Sequence, residues 1–142
     1  MSTRSRIGIL NSDGSVKSIY CHWDGYPSNN GAILLEHYTD AKKVEELIAL
    51  GDISSLGSKI STDKPHSFDD PVEDVVVAYG RDRGETDVDA NINDTLESFT
   101  ESMHSGEEWG YIFKDGEWLV INLCDESPSW DKLTMDYINQ HG

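Results

Sequence analysis

In the first part of the chain, apolar residues recur at every second position, the period of a strand. Arg6-Ile-Gly-Ile-Leu-Asn11 reads as one strand and Val16 to Trp23 as its antiparallel return, joined through Ser12-Asp-Gly-Ser15. Asp13-Gly14 is the strongest short hairpin signal, since both residue types tolerate the left-handed backbone of a tight turn. The period then lengthens. A loop, Ser28-Asn-Asn-Gly31, leads into a short predicted helix, Ala32–His37. Thr39 or Asp40 caps a second helix whose stripe is Val44, Leu47 and Ile48, with Gly51 just past its end. Asp52-Ile-Ser-Ser-Leu56 reads as one further capped turn, stopped by Gly57.

Residues 58–71 turn to Ser, Thr, Lys, Pro, His and Asp, which predicts a flexible loop. Val75-Val-Val-Ala-Tyr79 is continuous and β-branched, as a central strand buried on both faces would be. It runs into a polar loop, Gly80-Arg-Asp-Arg-Gly-Glu85. An acidic segment spans 86–108: its first part is irregular, and from Asp94 a helix with stripe Leu96, Phe99 and Met103 runs to Gly106. Residues 109–113 and 117–123 form a hairpin about Asp115-Gly116, apolar on both faces and therefore interior to the sheet. A last helix starts at Ser127-Pro-Ser129 and aligns Trp130, Leu133 and Tyr137, with Ile138 beside them. No internal repeat is visible. The expected fold is one small α+β domain over residues 1–142, a mostly antiparallel sheet of about five strands with three to four helices.

One stretch departs from plain alternation. Ser18-Ile-Tyr-Cys-His-Trp-Asp-Gly-Tyr-Pro27 alternates groups that stack, titrate and hydrogen-bond. By strand parity, Ile19, Cys21 and Trp23 face the core, while Tyr20, His22 and Asp24 share the other side. A Cys21–His22 nucleophile pair is disfavoured, because neighbouring strand residues point apart. His22 and Asp24 could ligate a metal with His37, His66 or the acidic loop, but zinc spacing is tighter, so neither metal nor cofactor is expected. General acid/base hydrolysis of a phosphate ester would use His22 with Asp24 or Asp82. Ligand binding suits the residues better. Tyr20, Trp23 and Tyr26 supply rings, His22 and Asp24 supply orientation, and Arg81 and Arg83 supply forked donors for an anion. Arg4 and Arg6 begin the strand expected to pair with that region and add positive potential. A second copy could complete such a pocket as a homodimer.

Charge then narrows the partners. The net charge is −16, unevenly spread. Residues 1–35 carry three bases and two acids, residues 36–62 three bases and five acids, and residues 63–142 five bases and twenty acids. Direct binding to nucleic-acid phosphates is excluded as the leading reading, because it needs clustered bases. The acidic half suggests instead a soluble face, or an inhibitor that docks a basic protein, even as a nucleic-acid mimic. No apolar run reaches the roughly 18 residues of a membrane span. The apolar stretch near the N-terminus is too short for a signal-peptide core, so the expected compartment is the cytoplasm. Cys21 and Cys124 make no disulfide framework and are expected reduced and mostly buried.

Taken together, Thr3-Arg-Ser5, Tyr20-Cys-His-Trp-Asp-Gly-Tyr-Pro27, Leu35-Glu-His-Tyr38, Leu50-Gly-Asp-Ile-Ser-Ser-Leu-Gly57 and Tyr79-Gly-Arg-Asp-Arg-Gly-Glu85 carry a resemblance. The chain resembles a set of small proteins encoded by tailed bacteriophages and prophages, over residues 2–85 and the hairpin at 109–121. The acidic segment 86–108 and the last helix lie outside it. The resemblance implies an origin rather than a mechanism: an accessory protein acting in the cytoplasm of an infected bacterium, where such proteins counter host defence or redirect host enzymes. The leading expectation is a non-enzymatic binder of a phosphate-bearing or nucleotide-like small molecule, such as a defence signal. The alternatives are the acidic inhibitor of a host or defence protein and the phosphate-ester hydrolase.

Overall fold

In a computed structural model, which describes residues 3–103 and 107–141, the N-terminal hairpin forms the centre of a sheet. Strand β1 (Ser5–Leu10) pairs antiparallel with β2 (Val16–Cys21), with Ile7 opposite Ile19. A wide helical turn, Pro27–Gly31, continues into α1 (Ala32–His37). Helix α2 (Ala41–Ala49) starts where the Asp40 carboxylate accepts the Lys42 N–H at 3.2 Å, and ends at Gly51 with φ +79°. There follow β3 (Ile53–Ser55), β4 (Val77–Ala78), α3 (Tyr79–Arg83), β5 (Asn91–Asn93) and α4 (Leu96–Ser102). Strands β6 (Trp109–Lys114), β7 (Glu117–Asn122) and β8 (Asp131–Lys132) and helix α5 (Met135–His141) complete the chain.

The strand order is β4-β3-β2-β1-β6-β7-β8, with β5 also on β2. Strand β1 runs parallel to β6, and β2 meets β3 in parallel at Cys21 and Ile53. The sheet is therefore mixed and has eight strands, and five α-helices accompany it among the described residues. That exceeds the expected five strands and three to four helices. The additional strands are two or three residues long, too short for a period to register in the sequence.

Two cores flank the sheet. On one face Ile7, Ile19, Cys21, Tyr111 and Val120 pack with Leu34, Leu47, Ile48 and Leu133 from the helices and the C-terminal segment. On the other, Val16, Ile112 and Ile121 pack beneath Phe99 and Met103 of α4. The hairpin β6–β7 lies inside the sheet as its two apolar faces require, with Asp115 and Gly116 both at positive φ in its turn.

Several local expectations are corrected. Asp52–Leu56 holds strand β3 instead of a capped turn, because Ile53 finds Cys21 as a partner. The strand expected over Val75–Tyr79 shrinks to Val77–Ala78, since the Asp82 carboxylate takes the Ala78 N–H at 2.8 Å and turns the chain into α3. Gly80–Glu85 is thus mostly helix, not loop, with Gly84 as its left-handed end at φ +77°. Part of the supposedly irregular 86–93 segment is β5, paired to β2. Thr95, not Asp94, caps α4, its Oγ1 accepting the Ser98 N–H at 3.0 Å; the expected stop at Gly106 lies outside the described residues. The last helix begins at Met135, so Trp130 leaves its stripe and stacks on Phe99 at 6.2 Å. Cys124 is exposed, while Cys21 is fully buried; both are free thiols. No described helix is long and apolar enough to cross a membrane.

Candidate functional site

The aromatic strand ends earlier than parity assumed. Strand β2 stops at Cys21, and Asp24 takes φ +56°, so the alternation that grouped Asp24 with His22 no longer applies. Tyr20 and His22 do share a side: the Tyr20 hydroxyl lies 2.8 Å from His22 Nδ1. Trp23 meets the His22 ring edge-on at 4.8 Å. It does not face the core as expected but stands 45% exposed, and Tyr26 is 37% exposed. Trp23 lies two residues past the end of β2, so strand parity no longer sets its direction.

Beneath these rings the backbone is fixed. His22 N–H donates to the Ile53 carbonyl at 3.2 Å and Trp23 N–H to Ser54 at 2.9 Å. Gly25 N–H donates to Thr3 at 2.8 Å, and the Tyr111 hydroxyl donates to the Gly25 carbonyl at 2.6 Å. Asn29 Nδ2 donates to the Asp24 carbonyl at 3.1 Å. Only glycine fits at position 25, because a Cβ there would come within 2.7 Å of Ser5 Cβ. The turn is a rigid mount for exposed rings. Cys21 behind it is fully buried, and burial pushes its thiol up to about 11, which disfavours the nucleophilic thiolate.

The outer edge of β2 is shared by two strands, and this explains Asp52. Strand β5 pairs with residues 16–18 and β3 with Cys21, which leaves the Tyr20 N–H in the gap. Asp52 Oδ1 accepts it at 2.9 Å. Arg6 sits opposite Tyr20 and is buried, with Nε donating to Ser18 Oγ at 3.1 Å and Nη2 to the Ser18 carbonyl at 3.2 Å. Burial lowers its pKa, opposed by the charges of Asp52 and Glu107. Sequence reasoning missed Asp52 and Glu107, because a carboxylate after a helix-ending glycine looks like another cap. Arg6 is thus an internal cation. Arg4, by contrast, is exposed, and its charge acts on Tyr20, whose hydroxyl is otherwise raised by burial.

The Arg81 side chain of α3 is engaged with the 60–76 segment. Arg81 donates through Nη1 to Ile60 at 2.5 Å, through Nη2 to Val76 at 2.7 Å, and to both Asp82 oxygens at 3.0 Å. His66 Nδ1 accepts the Val72 N–H at 2.9 Å, so its proton is on Nε2, which faces Asp82 Oδ2 at 3.3 Å and the Val76 carbonyl at 3.2 Å. Burial pushes the Asp82 carboxyl up. The hydrogen bonds from Arg81 and Ala78 and the Arg81 charge outweigh it, so the pKa is lowered from its usual 3.8. Arg83 lies over the Phe68 ring at 4.7 Å and 3.8 Å from Glu85. Ser61, Thr62 and Lys64 join His66, Arg81 and Asp82 around a cavity of about 280 Å³. The segment expected to be a flexible loop is therefore fastened to α3. Strand β1, which follows Arg4 and contains Arg6, pairs with the aromatic strand β2, while β2 and β3 separate it from β4.

A third region is the acidic flank. From Gly84 to Phe113 the chain has no Lys or Arg and eight acids. Of the twenty acids in residues 63–142, only Asp82, Glu85 and Glu117 form an ion pair among the described residues, although the charges of Glu107 and Arg6, and of Asp74 and Lys59, also act on each other. Compared with known proteins, the chain matches no protein-family model, no curated protein and no solved structure.

Proposed function

We propose that the protein is a phage-type accessory protein that works by binding in the host cytoplasm, its acidic flank docking a basic host or defence protein and inhibiting it. The observation that carries this reading is the unmatched charge on that flank. Seven of its eight carboxylates form no ion pair among the described residues, and a basic surface would relieve their mutual repulsion. Binding is favoured over hydrolysis because Cys21 is held as a thiol, His22 Nδ1 is engaged by Tyr20, and Asp24 has left the strand. The test is capture of a basic protein from a bacterial lysate at low and high salt. Capture should fall at least about tenfold at high salt, and likewise when Asp87, Asp89, Asp94, Glu97 and Glu101 are neutralised. Salt-insensitive capture that survives neutralisation overturns the reading.

A second reading is favoured by the exposed rings on their fixed turn. A nucleotide-like anion would stack on Trp23 and Tyr26, with His22 and Tyr20 orienting it and Arg4 meeting its charge. Arg81 contributes little here, since its donors are engaged within the fold, and Arg6 is buried. Calorimetry against a nucleotide and cyclic-nucleotide panel tests it: binding should be lost in Trp23→Ala and weakened in Arg4→Ala. A silent panel removes it.

A further inference from the structure

We propose that the cavity between α4 and the chain at Pro128–Trp130 is a slot for an arginine side chain of the docked partner, an assignment that rests on the docking reading above. The cavity is about 320 Å³, at the small end of the range for ligand sites. Its walls are apolar, supplied by Leu96, Ile121 and Pro128, while Glu97 and Glu101 line its opening one helical turn apart. Neither carboxylate has an ion-pair partner among the described residues.

The Trp130 indole completes the lining. Phe99 stacks on it at 6.2 Å, and its N–H donates to Thr100 Oγ1 at 3.1 Å, which itself donates to the Leu96 carbonyl at 2.8 Å. The ring is thus oriented by its neighbours but only half-buried. An aliphatic wall, an aromatic surface and two free carboxylates are together the complement of one side chain. Arginine carries an apolar stem, a flat cation that stacks on an indole, and a fork that matches a carboxylate. Lysine would satisfy the charge but neither the stacking plane nor the fork.

The experiment follows the Trp130 indole N–H signal in a proton–nitrogen correlation spectrum, assigned by its loss in Trp130→Phe. The probe is the blocked peptide acetyl-Gly-Arg-Gly-Arg-Gly-amide, alongside versions with citrulline or lysine in place of arginine. The arginine peptide should shift Trp130 saturably, the citrulline peptide should not, and the lysine peptide should bind several-fold more weakly. Glu97→Gln/Glu101→Gln should weaken the response at least about fivefold, and Asp87→Asn/Asp89→Asn less than about twofold. Unchanged signals of the buried Trp109 and Trp118 report that each variant is folded. An unmoved Trp130, an equal response to citrulline, or a stronger one to lysine overturns the slot. Equal losses in both neutralised pairs also overturn it, yet leave the docking reading standing, because the response then follows the field of the whole flank; the docking reading falls only with the lysate experiment.

Discussion

The turn at residues 22–26 and helix α3 at residues 79–83 stand out equally in the sequence, yet they use their side chains in opposite ways. In the turn, the backbone donates to the carbonyls of Thr3, Ile53 and Ser54 and accepts from the Tyr111 hydroxyl, and the side chains of Trp23 and Tyr26 are left at the surface. In α3, the side chains of Arg81 and Asp82 are the ones engaged, on Ile60, Val76, Ala78 and His66. A conspicuous residue is available for recognition only where the backbone, rather than the side chain, holds the local structure. This is why Arg81 fits a fastening and the aromatic turn fits a contact.

The contrast can be broken most decisively at Asp82. Its carboxylate is 4% exposed between Arg81 and His66, so Asp82→Ala leaves a cation and an N–H without their partner. A loss of about 3 kcal/mol or more in urea unfolding is expected; a loss under about 1 kcal/mol would show that α3 does not hold the 60–76 segment. Next comes Gly25→Ala. The added Cβ overlaps Ser5 Cβ and the Thr3 carbonyl, so about 1–3 kcal/mol should be lost if the turn is as fixed as its hydrogen bonds indicate.

Acid sharpens the same comparison. The Asp82 pKa is depressed in the folded state, so its contribution is complete above the usual 3.8 and disappears as pH falls through the lower folded value. The stability advantage of the native chain over Asp82→Asn should shrink below that pH, as measured by denaturation at a series of pH values; a constant gap would place the effect elsewhere. The smallest effect belongs to the turn. Trp23→Ala and Tyr26→Ala should each change stability by no more than about 0.5 kcal/mol, because neither ring holds the fold. A larger loss in thermal unfolding would make these rings structural.

The sheet centre, α1, α2 and the β6–β7 hairpin were legible in the sequence, because each is long enough to show a period or carries a turn signal such as Asp13-Gly14 or Asp115-Gly116. Strand β4 was legible but expected longer, and β3, β5 and β8 were not legible, since two or three residues acquire strand geometry only from a partner far along the chain. The site was half legible. Tyr20 and His22 meet as strand parity required, but parity cannot foresee that the strand ends at Cys21, before the exposed Trp23. Arg81 looked available because its acceptors, the Ile60 and Val76 carbonyls, are backbone groups that no side-chain pattern announces.

Strands β3 and β5 both land on the same edge of β2, with residues 56–90 between them. That excursion is a lobe clipped at each end to one scaffold strand, so its ends stay close whatever happens at its tip. Cutting the peptide bond after Lys64 should therefore yield two pieces that travel together through gel filtration without denaturant, making the lobe a tolerant place to graft a tag or a reporter.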